Sequence, residues 1–128
     1  VIATHHHCMV ALTNISSVLD ENRKALTDAG AVDVVVRILN DTTEALKAKK
    51  DDLSQELALR AFKLGSDAIR LSRNLSAGKM NEAQVLFGDK GAIPLIVSFL
   101  RLSCHPVVPA MKSKTEDLPT KLGSYISK

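Results

Sequence analysis

The chain has 128 residues, of which 45% are apolar and 24% are charged, and its formal net charge is +3. This is the composition of one globular domain, and the small, dispersed charge argues against a nucleic-acid partner. The two cysteines lie far apart, and no apolar run approaches the roughly 18 residues of a membrane span, so we expect a cytoplasmic or nuclear protein without a membrane partner.

Sequence signals divide the chain into consecutive parts, read from the spacing of apolar residues and from glycine and proline. The chain opens at Val1, in what reads as the middle of a helix, and we therefore expect a fragment of a longer protein. The parts are a helix at 1–18, two helices within 20–40, a polar insertion at 41–52, a long helix at 53–77, two helices within 81–102 and a tail at 103–128.

The long helix carries apolar residues at intervals of three or four, which places them on one buried stripe. Gly65 interrupts this helix, and a helical glycine costs about 1 kcal/mol relative to alanine, so we expect close packing or a bend there. Gly30 and Gly91 predict sharp turns before the next helices. The stripe consists of Leu53, Leu57, Ala61, Leu64, Ala68, Leu71 and Leu75.

The runs "VDVVVRIL" and "IPLIVSFL" leave an alternative open, because their β-branched residues also suit buried strands of an α/β protein. No phosphate-binding glycine pattern follows either run, and the flanking segments read as helical hairpins. Helices are therefore the preferred interpretation. The tail contains Pro106, Pro109 and Pro119, so we expect an extended connection at 103–114 and a short helix at about 117–127.

Two stretches of the chain repeat one another, 61 residues apart: "TDAGAVDVVVRIL" begins at Thr27 and "GDKGAIPLIVSFL" at Gly88. Upstream, "LTNISS" at 12–17 parallels "LSRNLSAG" at 71–78. Each copy is a helix end bearing asparagine, a short polar helix, a Gly-Ala turn and an aliphatic helix. Such self-similarity is the signature of a helical repeat protein.

These motifs resemble the armadillo repeat over residues 1–102, with a third helix ending in Leu-Ser-Asn-Leu and an Ala-Gly-Ala turn before the second helix. The resemblance implies an all-α, right-handed α-solenoid of about two repeats. Asn14 and Asn74 are 60 residues apart, whereas such units recur at about 40–47. We assign the excess to the insertion at 41–52, as a solvated surface loop or as a helical extension that projects from the solenoid.

The resemblance also implies a protein-binding scaffold, whose third helices line a concave groove and whose motif asparagines, Asn14 and Asn74, bind the backbone of an extended partner. Helical spacing and the overlay of the two copies add further groove residues. They are His7, Val10, Lys63, Asp67 and Arg70.

The chemistry of the groove favours an acidic partner. Peptide-binding members of the family carry tryptophan where this chain has Val10 and Arg70, and this chain has no tryptophan. Arginine instead makes bidentate contacts to carboxylates, and Lys63 and Arg73 add positive charge. Two alternatives stay open: Arg70 pairs with Asp67 or Asp89, and Asn74 ties down the loop that follows it.

The sequence gives no signal of an enzyme, a cofactor or a metal centre. His5 and Cys8 are neighbours on a helix, but a structural zinc site needs four ligands, and the other candidates, Cys104 and His105, show no pair motif. Because Cys8 overlays Ala68 on the buried stripe, we expect it to pack as a small apolar residue.

Two kinds of partner remain open at this stage. One is an extended acidic segment in the groove. The other is a folded protein, since "KLGSDAIRLSRNLSAGKMNEAQVLFGDKGAI" also resembles the armadillo-repeat dissociation stimulator of small GTPases. Uncapped repeat ends expose apolar surface, so we also expect further repeats or self-association.

Overall fold

The computed structural model describes residues 2–48, 55–79 and 81–104. These ranges form six α-helices and contain no β-strand, so the fold is all-α over the described residues. The valine-rich runs lie in the helices Ala31–Ala48 and Ala92–Ser103, so the strand alternative is wrong. The helices are α1 (Ile2–Ile15), α2 (Asp20–Asp28), α3 (Ala31–Ala48), α4 (Gln55–Leu75), α5 (Glu82–Asp89) and α6 (Ala92–Ser103).

Glycines make the turns into α3 and α6, as predicted. Gly30 has a φ of 94° and Gly91 a φ of 76°, a left-handed conformation that costs glycine little and other residues more. The two turns also form matching hydrogen bonds, from Gly30 N to Thr27 O at 3.1 Å and from Gly91 N to Gly88 O at 3.2 Å. Both copies of the repeated stretch therefore fold in the same way at this point.

The buried stripe of α4 is confirmed from Ala61 to Leu75. Leu57 is an exception: it is exposed, and its neighbour Ala58 is buried instead. Ala58 faces a small second cluster with Leu46 and Phe99, which sets the orientation of this first turn. Leu53 lies outside the described residues.

Close packing explains Gly65. A Cβ atom at this position would lie 2.2 Å from Cε2 of Phe99, far inside van der Waals contact. The ring of Phe99 also packs edge-on against Phe62, with ring centroids 5.6 Å apart. Gly65 thus lets α6 approach α4.

The segment assigned to an insertion belongs largely to α3, which continues to Ala48. Thr42, Thr43 and Leu46 are buried, so the surface-loop interpretation is wrong for residues 41–48. Residues 41–48 are helical, but Leu46 packs into the second cluster, so the expected projection of this helical extension is wrong as well. Residues 49–52 lie outside the described ranges, as does the predicted tail from His105 onward.

Helices at equivalent places in the two copies lie side by side. α1 packs on α4, and α3 packs on both α4 and α6. His6 contacts Asp67 and Thr13 contacts Asn74, each across 61 residues, so α1 and α4 run parallel.

The two copies also form equivalent hydrogen bonds. Arg23 Nε donates to Ser16 O at 2.8 Å. In the second copy, Gln84 Nε2 donates in the same way to Ser76 O at 2.7 Å. We call α1–α3 the first unit and α4–α6 the second unit. Their assignment to armadillo repeats stays a prediction.

Candidate protein-binding surface

The predicted groove residues lie on the adjacent helices α1 and α4, but they differ in exposure. His7, Asn14, Lys63 and Arg70 are exposed, Val10 and Asn74 are partly buried, and Asp67 is buried. We define the α1/α4 surface by the residues that remain accessible: His7, Val10, Asn14, Lys63 and Arg70.

Lys63 and Arg70 form the positive part of this surface. They are seven residues apart on α4, so they lie on one side of the helix, separated along its axis by about 10 Å. Neither side chain forms an ion pair or a hydrogen bond within the described part of the chain, and the same holds for Arg73 one turn later. The proposed pairing of Arg70 with Asp67 or Asp89 is therefore wrong.

Several other cations of the described chain are held by nearby carboxylates, whereas Arg37, Lys79 and Arg101 have no such partner there. Lys24 binds Asp28 at 2.8 Å, and the hydrogen bond and negative charge of that carboxylate raise the pKa of Lys24 above its ordinary value. Further pairs are Arg23 with Asp20, Arg60 with Glu56, and Lys90 with Asp33. Lys63 and Arg70 thus keep their full hydrogen-bonding capacity for a partner.

Asp67 does not line an open groove. Its side chain is buried and binds Nδ1 of His6, across the contact between α1 and α4. The carboxylate of Asp67 therefore pairs inside the fold. The residues that α4 contributes to the α1/α4 surface, Lys63 and Arg70, are both positive. His6 was missed by the sequence analysis. The signal that could have found it is complementary chemistry at the repeat spacing, because His6 and Asp67 are 61 residues apart.

The two motif asparagines have different surroundings. Asn74 Nδ2 donates to the main-chain oxygen of Thr13 at 2.9 Å, which ties α4 to the end of α1. This bond is to the neighbouring helix, so the alternative that Asn74 holds the following loop is wrong. The side chain of Asn14 is exposed and forms no hydrogen bond within the described ranges. Asn14 is therefore the better placed of the two for a partner's peptide group.

His5, His7 and Cys8 of α1 face solvent, whereas His6 between them binds Asp67. Cys8 is exposed, and the prediction that it packs like Ala68 is wrong. Ala68 is buried because α3 lies against that side of α4, whereas α1 packs on α4 with its other side, through Met9. Within the described ranges, no three His, Cys, Asp or Glu residues come together as a group able to hold a metal ion.

A membrane-spanning helix is not found in the described part of the chain: none of its helices combines the necessary length with the necessary apolar character. The compartment expected from the sequence stays a prediction.

No family model and no solved structure matches the chain. Among curated proteins, the chain is similar to a 2,3-dihydroxyphenylpropionate/2,3-dihydroxicinnamic acid 1,2-dioxygenase from Mycobacterium sp. (strain MCS), with 33% identity over 78 residues. This match covers 60% of the chain but only 24% of the length of the dioxygenase. A similarity of this extent assigns neither an enzymatic nor a non-enzymatic role to the chain.

Proposed function

We propose that this chain is a non-enzymatic scaffold of armadillo type that binds an extended, acidic segment of another protein on the α1/α4 surface. The observation that carries the proposal is the pair Lys63 and Arg70, exposed two turns apart on the same side of α4 without a carboxylate partner in the described part of the chain. The one acid predicted beside them, Asp67, is buried and bound to His6.

The arrangement of the helices supports the scaffold part of the proposal. Two units with the same order of helices and the same glycine turns lie in parallel, as expected for a right-handed solenoid in which equivalent helices stack. The long third helices of such a stack form a continuous surface, and here α1 and α4 supply it.

The spacing of the two cations suits an extended ligand. A peptide in extended conformation advances about 3.3 Å per residue, so the separation of Lys63 and Arg70 corresponds to carboxylates about three residues apart. Arg70 can bind a carboxylate with two parallel hydrogen bonds, and Lys63 acts as a point charge. Asn14 offers a donor and an acceptor to the backbone of the same ligand.

A labelled glutamate-rich peptide tests the proposal by fluorescence anisotropy. The intact chain should bind it with an affinity that falls as salt increases, and the variant Lys63→Glu/Arg70→Glu should bind at least about ten-fold more weakly. The matched control is Arg37→Glu/Arg101→Glu, which changes the net charge equally at two exposed positions on α3 and α6. It should bind like the intact chain.

Two outcomes would overturn the proposal. Equal losses in both variants would mean that net charge alone attracts the peptide. Binding to a folded small GTPase, with altered nucleotide release and no binding to linear acidic peptides, would favour the regulator of a folded partner instead.

A further inference from the structure

The strongest feature outside the α1/α4 surface is an apolar stripe on α6, formed by Ile93, Val97 and Leu100. These residues are one turn apart on one side of the helix, and they are 64%, 41% and 61% exposed. We call them the α6 stripe. Three large aliphatic side chains in one exposed row indicate a surface that another element covers.

The first unit shows what covers this row. The residues 61 positions earlier are Val32, Val36 and Leu39 on α3. Val32 and Leu39 are 1% and 0% exposed, and Val36 packs against the same core cluster. That cluster also contains Ala68, Leu71 and Leu75 of α4. The α6 stripe is thus the equivalent of a surface that α4 covers in the first unit.

A matching row is exposed at the opposite end of the molecule. The residues 60 positions before Ala68, Leu71 and Leu75 are Cys8, Ala11 and Ile15 on α1. All three are exposed, and we call them the α1 stripe. Ile15 is 50% exposed whereas its equivalent Leu75 is 2% exposed. The α1 stripe is therefore the equivalent of the apolar surface of α4 that α3 covers.

We infer that the α6 stripe binds the α1 stripe of a second copy of this chain, head to tail, and so repeats between molecules the packing of α3 on α4 within one. Both surfaces are already built for this contact, because each is the equivalent of one side of an existing buried interface. A head-to-tail contact uses two different surfaces. However many copies are joined, the row therefore keeps a free α6 stripe at one end and a free α1 stripe at the other. The chain therefore assembles into open rows rather than into a closed dimer.

Analytical ultracentrifugation of the 128-residue chain tests this inference. The intact chain should form dimers and larger species as its concentration rises. Two variants each remove one stripe: Ile93→Glu/Leu100→Glu on α6 and Ala11→Glu/Ile15→Glu on α1. Each alone should self-associate at least about ten-fold more weakly, because a buried apolar anchor is replaced by a charge. All four positions are exposed, and circular dichroism should show unchanged helix content.

Mixing the two variants gives the decisive result. Each variant keeps one intact stripe, so an equimolar mixture should form a dimer and stop there. Leu59→Glu, a change at an exposed apolar residue of α4 outside both stripes, should assemble like the intact chain. The inference is wrong if the intact chain stays monomeric to millimolar concentration, if the α1 variant still dimerises through two α6 stripes, or if the mixture stays monomeric.

Discussion

The side-chain amide of Asn74 donates a 2.9 Å hydrogen bond to the main-chain oxygen of Thr13, 61 residues earlier in the chain. This bond joins α4 to α1 at the spacing of the internal repeat. Replacing Asn74 by alanine should lower the free energy of unfolding by about 1 kcal/mol, the net value of such a bond. Urea unfolding measures the change.

Asn14 provides the control for this substitution, because it lies at the equivalent place on α1 and its side chain is exposed. Asn14→Ala should change the free energy of unfolding by no more than about 0.5 kcal/mol. Equal effects of the two substitutions would contradict the structural role of Asn74.

His6 and Asp67 should be energetically coupled. Both single alanine variants should be less stable than the intact chain, and the double variant should lose less than the sum of the two, with a coupling energy of about 1–2 kcal/mol. The reason is that either single change leaves the other polar group without its partner in a partly or fully buried position. The measurement is a double-mutant cycle in urea.

The pair Arg60 and Glu56 gives a reference cycle on the same helix. Both side chains are exposed, so their coupling should be about 0.5 kcal/mol or less. A His6–Asp67 coupling no larger than this would mean that the buried pair does not hold α1 against α4.

Two glycine-to-alanine substitutions should change stability in opposite directions. At Gly65 the new Cβ would meet the ring of Phe99, so the clash should outweigh the gain in helix propensity and lower the free energy of unfolding by about 1–3 kcal/mol. At Gly88, within α5, the new Cβ would have no atom within 4 Å beyond its chain neighbours and the backbone of its own helix. There alanine should raise the free energy of unfolding by about 0.5–1 kcal/mol.

Thermal unfolding of both glycine variants checks this difference in sign. Replacing Phe99 by leucine in the Gly65→Ala background should recover part of the loss, since the smaller side chain leaves room for the methyl group. Stabilisation by Gly65→Ala alone would show that α6 does not approach α4 at this residue.

Thr43 should be more stable as valine. Its hydroxyl oxygen is buried and has no hydrogen-bond partner in the described part of the chain. Valine has a similar shape and removes the unpaired group, so the free energy of unfolding should rise by about 1 kcal/mol. In contrast, Thr42 donates to Ile38 O at 2.8 Å, and Thr42→Val should bring no gain. Equal effects of Thr43→Val and Thr42→Val on the free energy of unfolding would indicate that the Thr43 hydroxyl is in fact bonded.

The features predicted correctly from the sequence are local ones. Gly30 and Gly91 end helices because of their own backbone freedom, and the stripe from Ala61 to Leu75 follows from helical periodicity. Whether Gly65 marks a bend or a close approach could not be decided locally, because the answer is Phe99, on another helix.

The features predicted wrongly depend on which helices are neighbours. The expectation for Cys8 rests on its equivalence with Ala68, but burial of Ala68 comes from α3, and that side of α1 is open. The prediction that Asp67 lines the groove rests on the stripe that it shares with Lys63 and Arg70. On an α-helix successive residues turn by about 100°. A modest rotation of α4 toward α1 is therefore enough to bury Asp67 and leave Lys63 and Arg70 exposed. Residues 41–48 read as polar, yet Leu46 packs against Phe99.

Mapping of a bound acidic peptide on the chain by nuclear magnetic resonance tests the central claim most directly. Titration of a glutamate-rich peptide into the ¹⁵N-labelled chain should shift the backbone amides around Lys63 and Arg70 on α4, and around Val10 and Asn14 on α1. The Lys63→Glu/Arg70→Glu variant should lose these shifts. Shifts confined to the outer sides of α3 and α6, or equal shifts in the intact chain and the variant, would contradict the account.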